Sequence, residues 1–174
     1  MDFHQLLIDR RSIRRYTEQP VSPDDVKLLL EAVLLSPSSK SSRAWQIIAV
    51  EDKTTLARLA DCKPAGAVSL KSCPLAIVIA EDTTLCDAWI EDGSVAATSL
   101  LFQAEALGLG ACWVQLRGRF SHDGTPSDQF VQEVLGIPEH VSPLCIISVG
   151  HKAEERKPQN TDALKWENVH IDRW

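Results

Sequence analysis

The chain has 174 residues, 44% hydrophobic and 24% charged. That is the make-up of one globular domain, long enough to bury a core without disulfide staples. With 24 acidic against 18 basic residues its net charge is -6, which argues against nucleic acid as the main partner. No apolar run approaches the ~18 residues of a membrane span. The opening MDFHQLLIDRRS lacks a basic region followed by an apolar stretch, so the cytoplasm is the expected compartment.

In chain order, DFHQLLIDR predicts a short helix with Asp2 as its cap. VSPDDVKLLLEAVLLSP predicts a longer one. Ser22 is a good N-cap, Pro23 suits the first helical position, and Asp25 completes a capping-box-like start. Val26, Leu29, Leu30, Val33 and Leu34 repeat at helical spacing, and Pro37 helps end the helix. AWQIIAVED reads as a buried strand, KTTLARLAD as a short helix, and LAIVIAED, after Pro74, as a second strand. From about Asp87 to Leu107 the apolar residues cover much of the helical circumference, as in a central helix. Gly108 and Gly110 stop it, and ACWVQLR is a third strand. TPSDQFVQEVLGIP is a helix starting near Ser127 and stopping at Gly136, and PLCIISVG is a fourth strand. Residues from about 151 to 174 have little periodicity and read as an extended arm on a single domain. Helices and strands alternate irregularly, as in mixed α/β or α+β domains.

Five cysteines with no CxxC spacing argue against a disulfide framework or a zinc site and are read as reduced. The five histidines show no metal-ligand spacing.

Three stretches carry candidate chemistry. RRSIRR, Arg10 to Arg15, holds four arginines in six residues. One or two can serve the end of the first helix. Four exceed what a cap needs. Guanidinium groups bind phosphate in a bidentate manner, and Ser12 adds a hydroxyl, so a small phosphorylated ligand ranks slightly ahead of capping. SPSSKSSRAW, Ser36 to Trp45, is either a polar surface loop or a source of hydroxyl and amide donors. GHKAEERKPQN offers Lys152, Arg156 and Lys157 as a second cationic contribution or as a solvated turn. GLGACW is not a dinucleotide fingerprint, because Trp113 stands where a third glycine is needed. No catalytic triad, P-loop or paired acids are recognisable, so demanding chemistry falls to a bound cofactor.

In order and spacing, these motifs resemble the nitroreductase family of FMN-dependent oxidoreductases. RRSIRRY is similar to its R-x-S-x-R signature, and SPSSKSSRAW to its P-S-S-x-N-x-Q-P-W loop. LGLGACWV is similar to its helix-to-strand junction, and ISVGHKAEERKP to its closing strand and turn. The resemblance implies an α+β fold with a mostly antiparallel central sheet surrounded by helices. It also implies an intertwined homodimer with FMN at the interface. By the same resemblance, Arg10 and Ser12 hold the FMN phosphate, with Arg11 a neighbour. Arg14 lies near the pyrimidine edge of the flavin. Pro37, Ser38, Ser39 and Ser41 reach the flavin of the other subunit. Gln115 and Leu116 approach flavin N5 and O4, and Arg156 closes the phosphate site.

The chain departs from the family pattern at Ser41, where Asn is usual, and at Arg43-Ala44 in place of Gln-Pro. Ala65 or Gly66 falls near an expected Asn. The helical insertion that covers the flavin in larger members is missing. The implied activity is a ping-pong transfer of hydride from NADH or NADPH, through flavin N5, to a small-molecule acceptor such as a nitroaromatic, quinone, enone or flavin. The alternative is a non-catalytic flavin-binding sensor or carrier on the same fold.

Overall fold

The run LAIVIAED is apolar through Ala80, and in the computed structural model, which describes residues 2–174, it becomes the most buried strand of the sheet. Strands covered on both faces read as continuous hydrophobic runs, because neither set of alternating side chains meets water. Among the described residues the order is α1 (Phe3–Asp9), α2 (Pro23–Leu34), β1 (Trp45–Val50), α3 (Lys53–Leu59), β2 (Leu75–Asp82), α4 (Trp89–Ala106), β3 (Gly110–Gln115), α5 (Ser127–Leu135) and β4 (Val141–Gly150).

The four strands form one sheet of order β1-β2-β4-β3, antiparallel throughout. The expected α+β class, with helices around an antiparallel sheet, is what the chain forms. Alternation along the strands sorts the core into two layers. Leu75, Ile77, Ile79, Ile147 and Val149 pack with Leu29 and Val33 of α2 and with Ala96, Ala97, Leu100 and Ala104 of α4. Ala76, Val78, Val114 and Ile146 face Leu56 and Leu59 of α3 and Val131 of α5. Truncating a fully buried leucine such as Leu100 to alanine costs about 2–5 kcal/mol in cores of this kind.

Local signals account for most element ends. Ser22 Oγ accepts from the Asp25 amide and donates to its carboxylate, with Pro23 at the first helical position. Gly136 ends α5 in the left-handed conformation at φ 66°. Asp2 does stand at the N-cap position of α1, but its side chain makes no capping bond. The arm is shorter than the sequence suggests. Residues 151–159 lie against the protein's own N-terminal segment: Thr17 N donates to His151 O, Ala153 N to Arg15 O, and Gln159 N to Ile8 O. Beyond Gln159 every residue is exposed, including Leu164, Trp166, Val169, Ile171 and Trp174. No helix among the described residues is long and apolar enough to cross a membrane.

Candidate functional site

β3 is an edge strand, so half its peptide groups have no strand beside them. The N-terminal segment covers the first of these. Ser12 pairs with Ala111 in a parallel bridge, and Ile13 N donates to Ala111 O at 3.0 Å. Only glycine at position 110 permits this approach, because a Cβ there would sit 2.7 Å from Ile13 Cγ2. Ile13 and Tyr16 fasten the segment from below: the Tyr16 hydroxyl donates to Ile13 O and meets Ser148 Oγ, and burial holds its pKa well above the usual value.

This anchoring sets Arg10, Ser12 and Arg14 around Cys112 on β3. Burial raises the Cys112 thiol's pKa, while the charges of Arg14, Lys63 and Arg10 and a hydrogen bond with Ser12 pull it back. Among the described residues neither the Arg10 nor the Arg14 guanidinium has an acidic partner within ion-pair distance, although the protein is acidic. The other cations of the region are mostly spoken for. Lys152 pairs with Glu105 at 2.8 Å, and Arg156 with Glu154 at 3.1 Å. Glu154 also takes the Arg14 amide at 2.7 Å, which keeps its carboxyl below its usual range. Arg11 donates to Lys157 O and lines a separate groove with Asp9, Lys152 and Arg156. The second cationic contribution expected from Lys152 and Arg156 is therefore largely neutralised within the chain.

Further along the strand, alternation turns the peptide groups of Trp113 and Gln115 to the same open edge as Ala111. Gln115 O accepts from Lys63 Nζ at 3.1 Å. Lys63 was not singled out in the sequence. It follows a short 3₁₀ turn, Ala60–Cys62, and only tertiary packing brings it to β3. Its ammonium is half-buried and its pKa is lowered, mainly by that burial.

The serine loop lies elsewhere. Ser38, Ser39 and Ser41 precede β1, at the opposite edge of the sheet from β3. Three strand spacings put about 14 Å between those edges. Within one chain, then, Pro37, Ser38, Ser39 and Ser41 do not meet Arg10, Ser12, Arg14, Gln115 and Leu116. The loop is nevertheless rigidly built. The Asp92 carboxylate, in the first turn of α4, accepts from Ser39 N at 2.8 and 2.9 Å and from Ser42 Oγ at 3.3 Å. Ser38 Oγ accepts from Arg43 N. Lys40, Ser41 and Arg43 have φ of 53°, 54° and 48°, a conformation costing side-chain-bearing residues of order 1–3 kcal/mol each.

The sequence profile described as "Nitroreductase family" matches residues 7–63 and 63–151. The chain belongs to the nitroreductase family. It is similar to an FMN-dependent nitroreductase from Clostridium difficile R20291, 42% identical, with a TM-score of 0.95 over 97% of this chain and 98% of that one. It is also similar to a protein of Methanothermobacter thermautotrophicus, named by inference as an NADH dehydrogenase/NAD(P)H nitroreductase. That relative is 30% identical over 100% of this chain and 88% of its own length. An NAD(P)H FMN reductase of Bacillus subtilis is 26% identical over 88% of this chain and 68% of its own length.

Ser41, where the resemblance implies asparagine, is left-handed at φ 54°, a conformation asparagine tolerates better than serine. Between β3 and α5 the chain runs only from Leu116 to Pro126, with no helix in between.

Proposed function

We propose that this nitroreductase binds FMN along the open edge of β3 and works as a homodimeric oxidoreductase. It takes electrons from NADH or NADPH and passes them to a small-molecule acceptor in a ping-pong cycle. The observation that carries the reading is the pair of unpartnered guanidiniums, Arg10 and Arg14, set with Ser12 beside a strand whose Trp113 and Gln115 peptide groups face outward. The donor set fits the group. Arg10 and Ser12 suit a phosphate, Arg14 suits an electron-rich ring, and the Gln115 peptide group offers a donor to a ring nitrogen. FMN, once bound, supplies the hydride-accepting N5 and the electron storage that no side chain here can provide.

The protein's own contribution is position and charge. Arg14 is held at its backbone by Glu154, so its side chain is free to offset negative charge that develops on the ring. The Lys63 contact fixes the Gln115 carbonyl, and with it the strand end against which the ring rests. The short crossing from Leu116 to Pro126 puts no helix beside that strand end, so donor and acceptor would share one place in turn.

The separation of the two stretches supports a dimer: Ser38, Ser39 and Ser41 would reach the β3 edge only from a second copy. A groove of about 600 Å³ between α1, α2 and α4, lined by Phe3, Leu6, Ala32, Val95 and Phe102, and the apolar arm beyond Gln159 offer mutual contact surface of the kind an exchanged arm needs. Five buried free thiols suit a reducing compartment such as the cytoplasm.

Stopped-flow mixing of the yellow holoprotein with NADH or NADPH tests the reading. Loss of the flavin's colour, and its return when a nitroaromatic or quinone is added, is the expected result. Colour that persists with both nicotinamides, or a protein that takes up no FMN, overturns it.

A further inference from the structure

The cations at the open edge of β3 fall into two groups, and the FMN reading draws on the charge of only one. The first is Arg10, Ser12 and Arg14, beside Ala111 and Cys112. The second lies at the strand's C-terminal end. Lys63 Nζ donates to Gln115 O, and the turn after the strand carries Arg119, whose Nη1 donates to Gly118 O at 3.2 Å. Arg119 N closes that turn on Leu116 O at 2.9 Å. Ser127 then ties residue 119 to residue 62: its amide donates to Arg119 O at 2.9 Å and its hydroxyl to Cys62 O at 2.6 Å. Lys63 and Arg119 are held as neighbours by this buried serine. Their charges repel, and Arg119 helps to lower the Lys63 pKa.

A fold does not need this repulsion. No acidic side chain among the described residues relieves it: the nearest in sequence, Asp61, lies 3.9 Å from Lys71, and Asp123 is held by Ser121. The two groups attach at different points of the strand, although Lys63 is near enough to Cys112 for their charges to act on each other. From Ala111 to Gln115 the strand advances about 13 Å, several times the width of a phosphate. An oxyanion at the second group would lie beside the place proposed for the reactive part of the flavin, next to the short Leu116–Pro126 crossing.

Resting on the nitroreductase reading, we propose that Lys63 and Arg119 form a second anion site. It takes a carboxylate or phosphate carried by the substrate that stacks on the flavin. The protein thereby selects negatively charged redox partners. Two sources share that chemistry: an acceptor bearing a carboxylate, and a donor bearing the extra phosphate that distinguishes NADPH from NADH.

Arg119 provides the test, because it is exposed and lies outside the donor set proposed for FMN. The holoprotein and its Arg119→Gln and Arg119→Glu variants are compared on para-nitrobenzoate and its neutral amide, and on NADPH and NADH. Unreactive benzoate and 2′-phosphoadenosine are titrated in parallel at low and high salt, by calorimetry. The expected result is a preference of roughly tenfold for the charged member of at least one pair, lost in Arg119→Gln and reversed in Arg119→Glu. The uncharged members should keep their kcat/KM, and the matching unreactive anion should bind about tenfold more weakly to the variants and in high salt. Preference in the nitroarene pair alone identifies the acceptor as the source, and preference in the nicotinamide pair alone identifies the donor. Equal rates within both pairs, and anion binding unmoved by Arg119→Glu, overturn the site while leaving the enzyme reading intact. If no substrate is turned over at all, the enzyme reading falls, and the two anion titrations still decide whether the site exists.

Discussion

Glu81 is fully buried on β2, and neither carboxylate oxygen finds a hydrogen-bond partner. It sits under Gly93 of α4, where a Cβ would lie 3.5 Å from its Oε1, and close to the Asp92 carboxylate that clamps the serine loop. Burial, with Asp92 as the second cause, raises its pKa from 4.5 to about 7. Below pH 4.5 the folded and unfolded chains both carry the proton, and the group leaves stability unchanged. Between 4.5 and about 7 the unfolded chain releases it and the folded chain keeps it, so stability falls as pH rises. Above about 7 both are ionised and the whole cost stands. A shift of this size corresponds to about 3 kcal/mol. Glu81→Gln keeps the shape of the neutral acid and removes the ionisation. Urea denaturation across this window, at one protein concentration, should show the variant nearly matching the parent near pH 4.5. The variant should then gain on the parent as pH rises, reaching about 3 kcal/mol above pH 7. Parallel curves would show that this carboxyl ionises as if in water and that the burial argument is wrong.

Two further predictions concern the β3 edge. Arg14→Ala should lower the reduction potential of bound FMN by roughly 30–60 mV, the equivalent of one charged contact of about 1.5–3 kcal/mol in a two-electron couple; spectroelectrochemistry on the holo variant measures it, and an unchanged potential would remove Arg14 from the ring. Gly110→Ala should cost about 1–3 kcal/mol and weaken FMN binding by pushing the Ile13 backbone off the strand. In the double variant with Ile13→Ala the two losses should be less than additive, and simple additivity in urea titrations would mean that this contact does not seat the segment.

The fold was legible because its signals are local. Ser22 with Asp25, Pro23 and Gly136 punctuate helices through bonds and dihedrals within a few residues, and the sheet's inner strands are apolar enough to be read singly. The arginine cluster and the serine loop were legible as compositional anomalies, in one case four like charges in an acidic chain and in the other five serines in ten residues. What the sequence hid is whatever depends on distant partners. Nothing local distinguishes Lys63, which packing carries to Gln115, from Lys71, which pairs at the surface with Asp61. Nothing local announces that Arg156 is neutralised by Glu154, or that Asp92 reaches back across the fold to hold Ser39. Nor does anything local announce that residues 151, 153 and 159 hydrogen-bond back to residues 17, 15 and 8, because these contacts join distant parts of the chain.

The split of the site between two sheet edges has a thermodynamic consequence. If Arg10, Ser12 and Arg14 come from one chain and Ser38, Ser39 and Ser41 from another, a separated subunit offers only half of the contacts that hold FMN. Binding and assembly are then linked: whatever favours the dimer tightens the cofactor, and the cofactor tightens the dimer by the same free energy. Dilution of the holoprotein should therefore release FMN, seen as rising flavin fluorescence, at the concentration where sedimentation shows subunits parting. Ending the chain at Gln159 removes Leu164, Trp166, Val169, Ile171 and Trp174 without touching a residue of the β3 edge. It should shift both transitions to higher protein concentration together. Should FMN affinity stay constant through dissociation, the β3 edge alone would hold the cofactor and the strained loop would have some other purpose.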